Sequence, residues 1–324
     1  MNIILANPRG FCAGVKRAIL IVENALKIYK RTIYIKHELV HNQYVVNQLC
    51  RKGVIFVEEI SQIPDYSIIV FSAHGVSKQV QKEAIKKKLT ILNATCPLVT
   101  KVHKEVSKSS SMGIKTILIG HKGHPEVEGT IGQYDNKNGK IYLIQSIEDV
   151  NQLSIKSHQK LNFVTQTTLS ISYTKNIIYA LKKKFPNISG PIKEDICYAT
   201  TNRQKAVNQL SKITDMILVV GSKNSSNSNR LAELGRENGT FTKLIDSFID
   251  IKKKWLKNIN YIGITAGASA PEILVTEVIQ YLKKLGANQT IEMIGTKETT
   301  VFKIPKQLLS IKKFLDKTEK KNNE

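Results

Sequence analysis

The sequence predicts an α/β protein built from three similar lobes, each a small parallel sheet covered by helices. Apolar strand-like runs alternate with helical patterns along the chain, and this order repeats about every hundred residues. Each repeat contains one cysteine at a predicted helix start. A chain of 324 residues is too long for one ordinary core and suits two or three domains.

The first unit opens with a buried strand, a loop and a helix. The apolar run from Ile3 to Leu5 ends before Pro8 and Gly10, and a helix with an apolar stripe begins just after Cys12. The exposed N–H groups and dipole at a helix N-terminus favour a thiolate at such a cysteine. Further strands are predicted at 32–35, 54–57, 68–71 and 89–92, with a helix from about residue 43 to residue 53.

The second and third units repeat this arrangement. Cys96 precedes Pro97, which suits a first helical position, and Cys197 precedes a third predicted helix. Strands are predicted at 116–119, 141–144 and 162–164 in the second unit, and at 216–220, 243–245 and 261–264 in the third. Three cysteines in one context, separated by 84 and 101 residues, favour a shared role over three unrelated core thiols.

Polar loops follow the strands of every unit. They occupy residues 37–42, 72–77, 120–129, 165–170, 221–230 and 265–271. In open α/β sheets, ligands bind beyond the carboxyl ends of the strands. Three such sheets facing one axis would bring the three cysteines together inside a ring of six polar loops.

Composition and charge narrow the functional classes. The net charge of +23 comes from lysines dispersed over predicted helix faces, without an arginine-rich stripe or an aromatic platform. We therefore favour compositional bias over nucleic-acid binding, and a basic RNA-binding protein is the non-enzymatic alternative. The sequence has no apolar run of membrane length and no signal peptide, so we expect a cytoplasmic protein with no membrane partner. Its four cysteines are then candidates for metal, cluster or catalytic roles.

Three converging cysteines have two chemical interpretations. A zinc ion takes four protein ligands in a structural site, or three with one open position in a catalytic site. A 4Fe–4S cluster usually takes four cysteines, and three would leave one iron free for substrate. Cys50 is the only other thiol, and it follows Leu49 on a predicted helix without any helix-start context. We interpret Cys50 as an incidental helix residue.

One segment supports a different enzyme. His37-Glu38-Leu39-Val40-His41 matches the zinc-protease pattern H-E-x-x-H. That pattern requires one helix presenting both histidines, with a third ligand downstream. Here the segment directly follows a predicted strand and continues into a loop or helix start at Asn42. A zinc-dependent hydrolase is the enzymatic alternative, and we rank it below an iron–sulfur site.

Eight short segments at helix starts and strand ends form a specific pattern. They are NPRGFCAGV (7–15), SAHGV (72–76), ATCPLV (94–99), GHPEVEG (123–129), QTT (166–168), CYATTNR (197–203), SSNS (225–228) and AGASAP (266–271). With these segments the chain resembles the 4-hydroxy-3-methylbut-2-enyl diphosphate reductases, the last enzymes of the non-mevalonate isoprenoid pathway. The resemblance extends to about Lys306 and shows no departure at any of these motifs.

The resemblance implies a fold, a cofactor and a reaction. It implies three lobes with pseudo-threefold symmetry around one 4Fe–4S cluster, held by Cys12, Cys96 and Cys197. The implied reaction is reductive dehydroxylation of (E)-4-hydroxy-3-methylbut-2-enyl diphosphate to isopentenyl and dimethylallyl diphosphates, with the substrate hydroxyl on the unligated iron. The implied partner is a one-electron donor protein such as a ferredoxin or a flavodoxin.

The resemblance also implies the residues of the substrate pocket. Glu126 is the implied proton donor, and Thr167 is the second catalytic candidate. The implied substrate-binding residues are His41, His74, His124, Thr167, Thr168, Ser225, Ser226, Asn227 and Ser269. Because Glu126 lies at a predicted helix start, we expect the dipole to lower its pKa until bound diphosphate and the anionic cluster favour the acid form.

The lobe boundaries follow the cysteine positions. We expect lobes at 14–96, 97–193 and 194–310, with the N-terminal strand 1–13 joining the third lobe, as the resemblance implies. The basic stretch 311–324 is expected to be a disordered tail.

Overall fold

Three separate parallel sheets form the framework of the protein in a computed structural model, which describes residues 1–155 and 160–309. The strands are β1 Asn2–Leu5, β2 Ile33–Lys36, β3 Val54–Val57, β4 Ile68–Phe71, β5 Thr90–Asn93, β6 Lys115–Ile119, β7 Ile141–Ile144, β8 Leu161–Thr165, β9 Met216–Val220, β10 Phe241–Ile245, β11 Tyr261–Ala266 and β12 Thr290–Glu292. All paired strands among the described residues are parallel. The predicted α/β class with three small parallel-sheet lobes is confirmed.

Helices connect and cover these strands. They are α1 Ala13–Tyr29, α2 Gln43–Arg51, α3 Lys78–Lys86, α4 Pro97–Ser111, α5 Pro125–Ile131, α6 Ile147–Gln152, α7 Ile171–Lys184, α8 Tyr198–Leu210, α9 Ser226–Glu237 and α10 Glu272–Lys284. Short 3₁₀ helices lie at Ile60–Gln62, Phe248–Asp250 and Lys253–Leu256. Across the described ranges, no helix is long and apolar enough to cross a membrane.

The sheets differ in size but share one design. Their strand orders are β3-β2-β4-β5, β7-β6-β8 and β10-β9-β11-β1-β12. The inner strands β4 and β9 are buried along their whole length, because helices cover both faces of a parallel sheet. This burial explains why these strands are continuous apolar runs in the sequence rather than alternating ones.

The largest sheet combines the N-terminal strand with strands from the last third of the chain. Strand β1 lies between β11 and β12, with Ile4 opposite Gly263 on one side and Ile291 on the other. Strand β12 has no counterpart among the predicted strands, since it is three residues long and Ile291 is half-exposed. The lobe boundaries stay a prediction, and the tail at 311–324 lies outside the described residues.

The three cysteines occupy one kind of position. Cys12, Cys96 and Cys197 are the N-cap residues of α1, α4 and α8. In the first two cases a loop that follows β1 or β5 leads into the cysteine, and Pro97 begins α4. The position predicted for each cysteine at a helix start is confirmed.

Candidate active site

One cavity of about 100 Å³ lies where the carboxyl ends of strands from all three sheets meet. The three cysteines and every polar residue that the resemblance implies line it, so the fold brings this set together. The polar set is His41, His74, His124, Glu126, Thr167, Thr168, Ser225, Ser226, Asn227 and Ser269. Their roles in binding and catalysis stay predictions at this point.

Cys12, Cys96 and Cys197 form one side of the cavity, called here the thiol wall. Gly14 leaves the space between the sulfur atoms open. A Cβ atom on Gly14 would stand 2.7 Å from Cys96 Sγ and 3.8 Å from Cys12 Sγ. A side chain at position 14 would therefore occupy the volume in front of two of the thiols.

Burial decides the protonation of two of these thiols. Burial, with a further contribution from the Cys12 thiol, raises the pKa of Cys96 to about 12 and that of Cys197 to about 11. Hydrogen bonds from backbone amides lower both pKa values, but by less. At Cys96 and Cys197 burial therefore outweighs the effect of the helix N-terminus, and a thiolate at either position needs a bound cationic centre.

Thr200 is a site residue that the sequence reasoning missed. Its hydroxyl lies 3.2 Å from Cys197 Sγ, and its backbone N–H donates to the same sulfur at 3.4 Å. It stands three residues after the N-cap, the spacing of an N-terminal capping interaction. That spacing is visible in the sequence once Cys197 is recognised as the cap.

The described residues contain no group of three His, Cys, Asp or Glu side chains arranged to hold a single metal ion. The His37–His41 segment lies in the turn before α2, and no single helix presents its histidines. His37 contacts Glu58 at 2.6 Å, while His41 contacts Glu38 at 3.2 Å. This segment therefore lacks the geometry that a zinc-protease motif requires.

Three histidine rings pack together on the opposite side of the cavity. The ring centroid of His41 lies 4.1 Å from that of His74 and 5.3 Å from that of His124. Nε2 of His41 and Nδ1 of His74 are buried without a hydrogen-bond partner in the protein. Buried polar atoms are nearly always paired, so these nitrogens indicate a missing polar ligand.

Asn227 gives a second indication of a missing ligand. Asn227 is 4% exposed, and neither its side-chain oxygen nor its side-chain nitrogen has a hydrogen-bond partner in the protein. Asn227 lies in the first turn of α9, where backbone N–H groups favour a bound anion. The histidines, Asn227 and the hydroxyl residues Thr168, Ser225, Ser226 and Ser269 are called here the polar wall.

Hydroxyl contacts join the lobes across the polar wall. The Thr168 and Ser226 hydroxyls are 3.1 Å apart, which links the loops after β8 and β9. The Ser269 hydroxyl donates to the His41 carbonyl at 2.9 Å, linking the loops after β11 and β2. The Ser225 side chain caps α9 by accepting from the Ser228 backbone N–H. All three lobes thus meet at this wall.

Two of the histidines, His74 and His124, are neutral in the ligand-free protein. Burial and the neighbouring histidines lower the pKa of His124 to about 3 and hold that of His74 well below its usual range. A bound anion would stabilise the charged imidazolium and raise both pKa values. The polar wall can therefore gain positive charge when an anionic ligand arrives.

Glu126 connects the two walls through Thr167. The Thr167 N–H and hydroxyl donate to the two Glu126 carboxyl oxygens at 2.6 and 3.0 Å, and the Cys197 N–H donates to the Thr167 carbonyl at 3.1 Å. Burial raises the pKa of Glu126 to about 7, although the Thr167 hydrogen bonds lower it. The expectation that the helix dipole keeps this pKa low is wrong, because burial by three lobes outweighs it. Glu126 is a usable acid near neutral pH even without a ligand.

Cys50 lies apart from the cavity. It is exposed in the last turn of α2, next to Arg51, and does not line the site. This position agrees with its interpretation as an incidental helix thiol.

Comparisons with known proteins agree with these observations. A sequence model described as LytB protein matches residues 3–283. A curated relative from Buchnera aphidicola subsp. Acyrthosiphon pisum (strain Tuc7), named 4-hydroxy-3-methylbut-2-enyl diphosphate reductase, is 78% identical over 98% of this chain and 99% of its own length. A relative of the same name from Hamiltonella defensa is 62% identical over 95% of this chain and 97% of its own length.

Two solved structures share the fold. The E-1-hydroxy-2-methyl-but-2-enyl-4-diphosphate reductase of Plasmodium falciparum matches with a TM-score of 0.90 and 38% identity, covering 97% of this chain and 99% of that one. A structure of (E)-4-hydroxy-3-methyl-but-2-enyl diphosphate reductase matches with a TM-score of 0.64 and 30% identity. It covers 88% of this chain and 100% of that one.

Proposed function

The chain belongs to the LytB protein family and is an oxidoreductase, and from that premise we propose the reaction and the residues that carry it. The substrate is (E)-4-hydroxy-3-methylbut-2-enyl diphosphate, and the products are isopentenyl and dimethylallyl diphosphates, the last step of the non-mevalonate pathway. The observation that carries the proposal is one cavity lined by three thiols, a buried acid and an unpartnered polar wall.

The donor set supports an iron–sulfur cofactor. Three soft thiols from three helix N-termini line one cavity, and Gly14 keeps the space before two of them clear. Thiolates are the usual ligands of iron–sulfur clusters. Cys12, Cys96 and Cys197 would hold one 4Fe–4S cluster, which when bound supplies electrons one at a time and a Lewis-acidic iron without a protein ligand.

The polar wall binds the diphosphate. Asn227 and the histidines offer buried polar atoms without protein partners, and the α9 N-terminus adds backbone donors. Ser225, Ser226, Thr168 and Ser269 place hydroxyl groups beside them. Because His74 and His124 begin neutral, the arriving anion draws protons onto them, and the charged pairs then form within a buried site.

Glu126 supplies the proton that leaves with the substrate hydroxyl. With its pKa near 7, the carboxyl is partly protonated at neutral pH, as a general acid should be. Thr167 fixes both oxygens of Glu126, and its carbonyl accepts from the Cys197 backbone. This arrangement holds the acid beside the thiol wall, where the carbon–oxygen bond breaks.

The electrons come from outside the chain. A one-electron donor protein, such as a ferredoxin or a flavodoxin, fits a cluster that passes electrons singly. The expected cytoplasmic location is part of the same proposal.

The experiment is anaerobic turnover of the synthetic substrate with an artificial one-electron reductant. We expect isopentenyl and dimethylallyl diphosphates from protein reconstituted with iron and sulfide, and no turnover from protein loaded with zinc. Turnover by the zinc-loaded protein, or no product from protein that holds iron and sulfide, would overturn the proposal.

A further inference from the structure

Each helix that begins after a cysteine carries a cation in its second turn. These cations are Arg17 on α1, Lys101 on α4 and Arg203 on α8, five or six residues after the cysteine that caps the helix. Each reaches across to the backbone that leads into the next cysteine around the cavity. The three contacts close into a ring.

Arg17 joins the Cys12 helix to the approach to Cys96. Its guanidinium donates to the Thr95 carbonyl at 3.1 Å and to the Asn93 carbonyl at 3.3 Å. Thr95 is the residue directly before Cys96. Burial lowers the pKa of Arg17, and the neighbouring Cys96 sulfur acts on this pKa in the opposite direction.

Lys101 joins the Cys96 helix to the approach to Cys197. Its ammonium contacts Asp195 Oδ1 at 2.9 Å and donates to the Lys193 carbonyl. The Asp195 side chain is fully buried, and its second oxygen accepts the Thr165 N–H at 2.9 Å. Two residues before Cys197, the chain is therefore fastened both to α4 and to the end of β8.

Arg203 closes the ring by joining the Cys197 helix to the approach to Cys12. Its guanidinium is fully buried and donates to the Gly10 carbonyl from Nη2 at 2.7 Å and from Nε at 3.1 Å. Its Nη1 contacts Glu298 Oε1 at 2.9 Å, which satisfies the buried charge. Gly10 has a φ of +66°, so its backbone is held in a conformation that favours glycine.

Helix energetics do not explain these cations. A positive charge in the first half of a helix gains nothing from the helix dipole, which favours cations only near the C-terminus. The three cations instead contact backbone carbonyls of the neighbouring segments. Their carbonyl contacts show that tertiary structure, not helix stability, selects them.

We propose that Arg17, Lys101 and Arg203 are positioning residues that set the mutual spacing of the three cysteines and thereby govern how firmly an iron–sulfur cluster is held. The proposal rests on the proposed function, since it assigns the cluster to these cysteines. Each cation ties the helix that begins after one cysteine to the segment that precedes the next. Removing one of these contacts should therefore let the distances between the cysteines vary, although all three thiols are still present.

The experiment compares Arg17→Gln and Lys101→Gln with the matched variants Lys16→Gln and Lys104→Gln, which remove an exposed charge from the same helices. All are reconstituted anaerobically with iron and sulfide, and the rate at which a chelator removes iron is measured. Losing charge-assisted hydrogen bonds should speed iron loss about tenfold in the ring variants. The matched variants should stay within about twofold of wild type, and Lys101→Arg should restore slow loss.

Two further readouts separate positioning from general stability. The ligand-free Arg17→Gln variant should unfold at a temperature close to that of its control, whereas Lys101→Gln should unfold at a lower temperature because it leaves the buried Asp195 carboxylate without its cation. Only the ring variants should change the paramagnetic resonance spectrum of the reduced cluster. Because Arg203 is buried against Glu298, its test is the pair Arg203→Gln with Glu298→Gln, which leaves no unpaired charge. We expect this double variant to lose iron faster as well.

The outcomes distinguish this inference from the function on which it rests. Wild-type protein that takes up no iron would overturn both. Wild-type protein that holds about four irons, with equal loss rates in ring and matched variants, would overturn the ring alone. A lower unfolding temperature with an unchanged loss rate and spectrum would also overturn it.

Discussion

The thiol wall and the polar wall line the same cavity, and burial shifts the pKa values of their titratable groups in opposite directions. Burial raises the pKa values of Cys96 and Cys197, so these two thiols of the ligand-free thiol wall keep their protons until a cationic centre binds. Burial lowers the pKa values of His74 and His124, so the ligand-free polar wall lacks protons that an anion would bring. The same physical cause prepares one wall for a metal centre and the other for a diphosphate.

Removing a ligand from the thiol wall should have the largest effect. Cys12→Ser, Cys96→Ser and Cys197→Ser each replace a soft thiolate with a hard hydroxyl. We expect each variant to lose the intact cluster and all measurable turnover, as checked by visible absorption and product analysis. If one of these variants keeps the intact cluster and its turnover, the substituted cysteine is not a cluster ligand.

Changing the acid between the walls should have the next largest effect. Glu126→Gln keeps the shape but cannot deliver a proton, so turnover should fall by roughly a hundred- to ten-thousand-fold while the cluster is retained. Wild-type turnover should decline as pH rises above about 7, where the carboxyl loses its proton, and the residual rate of the variant should lack this decline. Near-normal turnover in the variant would assign the proton to Thr167 or to water.

Truncating the polar wall should weaken binding without weakening the fold. Asn227→Ala removes a side chain that has no protein partner, so the ligand-free protein should keep its unfolding temperature. Affinity for inorganic diphosphate should fall about tenfold, the worth of one charge-assisted hydrogen bond. Asn229→Ala is the matched control, because Asn229 donates to the Lys223 and Ser225 carbonyls and its loss should lower the unfolding temperature instead.

The histidines should make diphosphate binding depend on pH. The pKa values of His74 and His124 are low in the free protein and should rise when the anion binds, so the complex should hold more protons than the free protein. Affinity should therefore strengthen as pH falls from 8 to 6, by up to about tenfold per unit for each proton taken up. Calorimetry in buffers of different ionisation enthalpy measures this uptake directly, and the opposite pH trend would contradict the electrostatic description of the polar wall.

The smallest effect is expected outside both walls. Cys50→Ser changes an exposed thiol in the last turn of α2, so iron content and turnover should equal those of wild type. If this variant loses iron, the three-ligand site is wrong, because Cys50 then contributes to holding the cluster.

The sequence indicated the positions of the site residues better than their energetics. Cysteine followed by a helical stripe, and polar loops after apolar runs, are local patterns. They predicted the helix starts at Cys96 and Cys197 and the loops that form the polar wall, whereas the individual residues of that wall were implied by the family resemblance. Strand β12 was missed because three partly exposed residues carry no periodicity. The pKa of Glu126 was misjudged because a local dipole is visible in sequence, whereas burial by three lobes depends on the assembled fold.

The contacts made by Arg17, Lys101 and Arg203 could not be predicted from local sequence patterns either. Each cation is readable as a helix residue in the sequence, but its partner lies about 80 to 190 residues away. Only the assembled fold shows that the three contacts follow one cyclic order around the cysteines.

The most direct test of the two-wall description is iron, sulfide and zinc analysis of wild-type protein purified without oxygen. We predict a brown protein with about four irons and four sulfides per chain, unchanged in Cys50→Ser and lost in Cys12→Ser, Cys96→Ser and Cys197→Ser. A colourless wild-type protein carrying zinc and no sulfide would contradict the account.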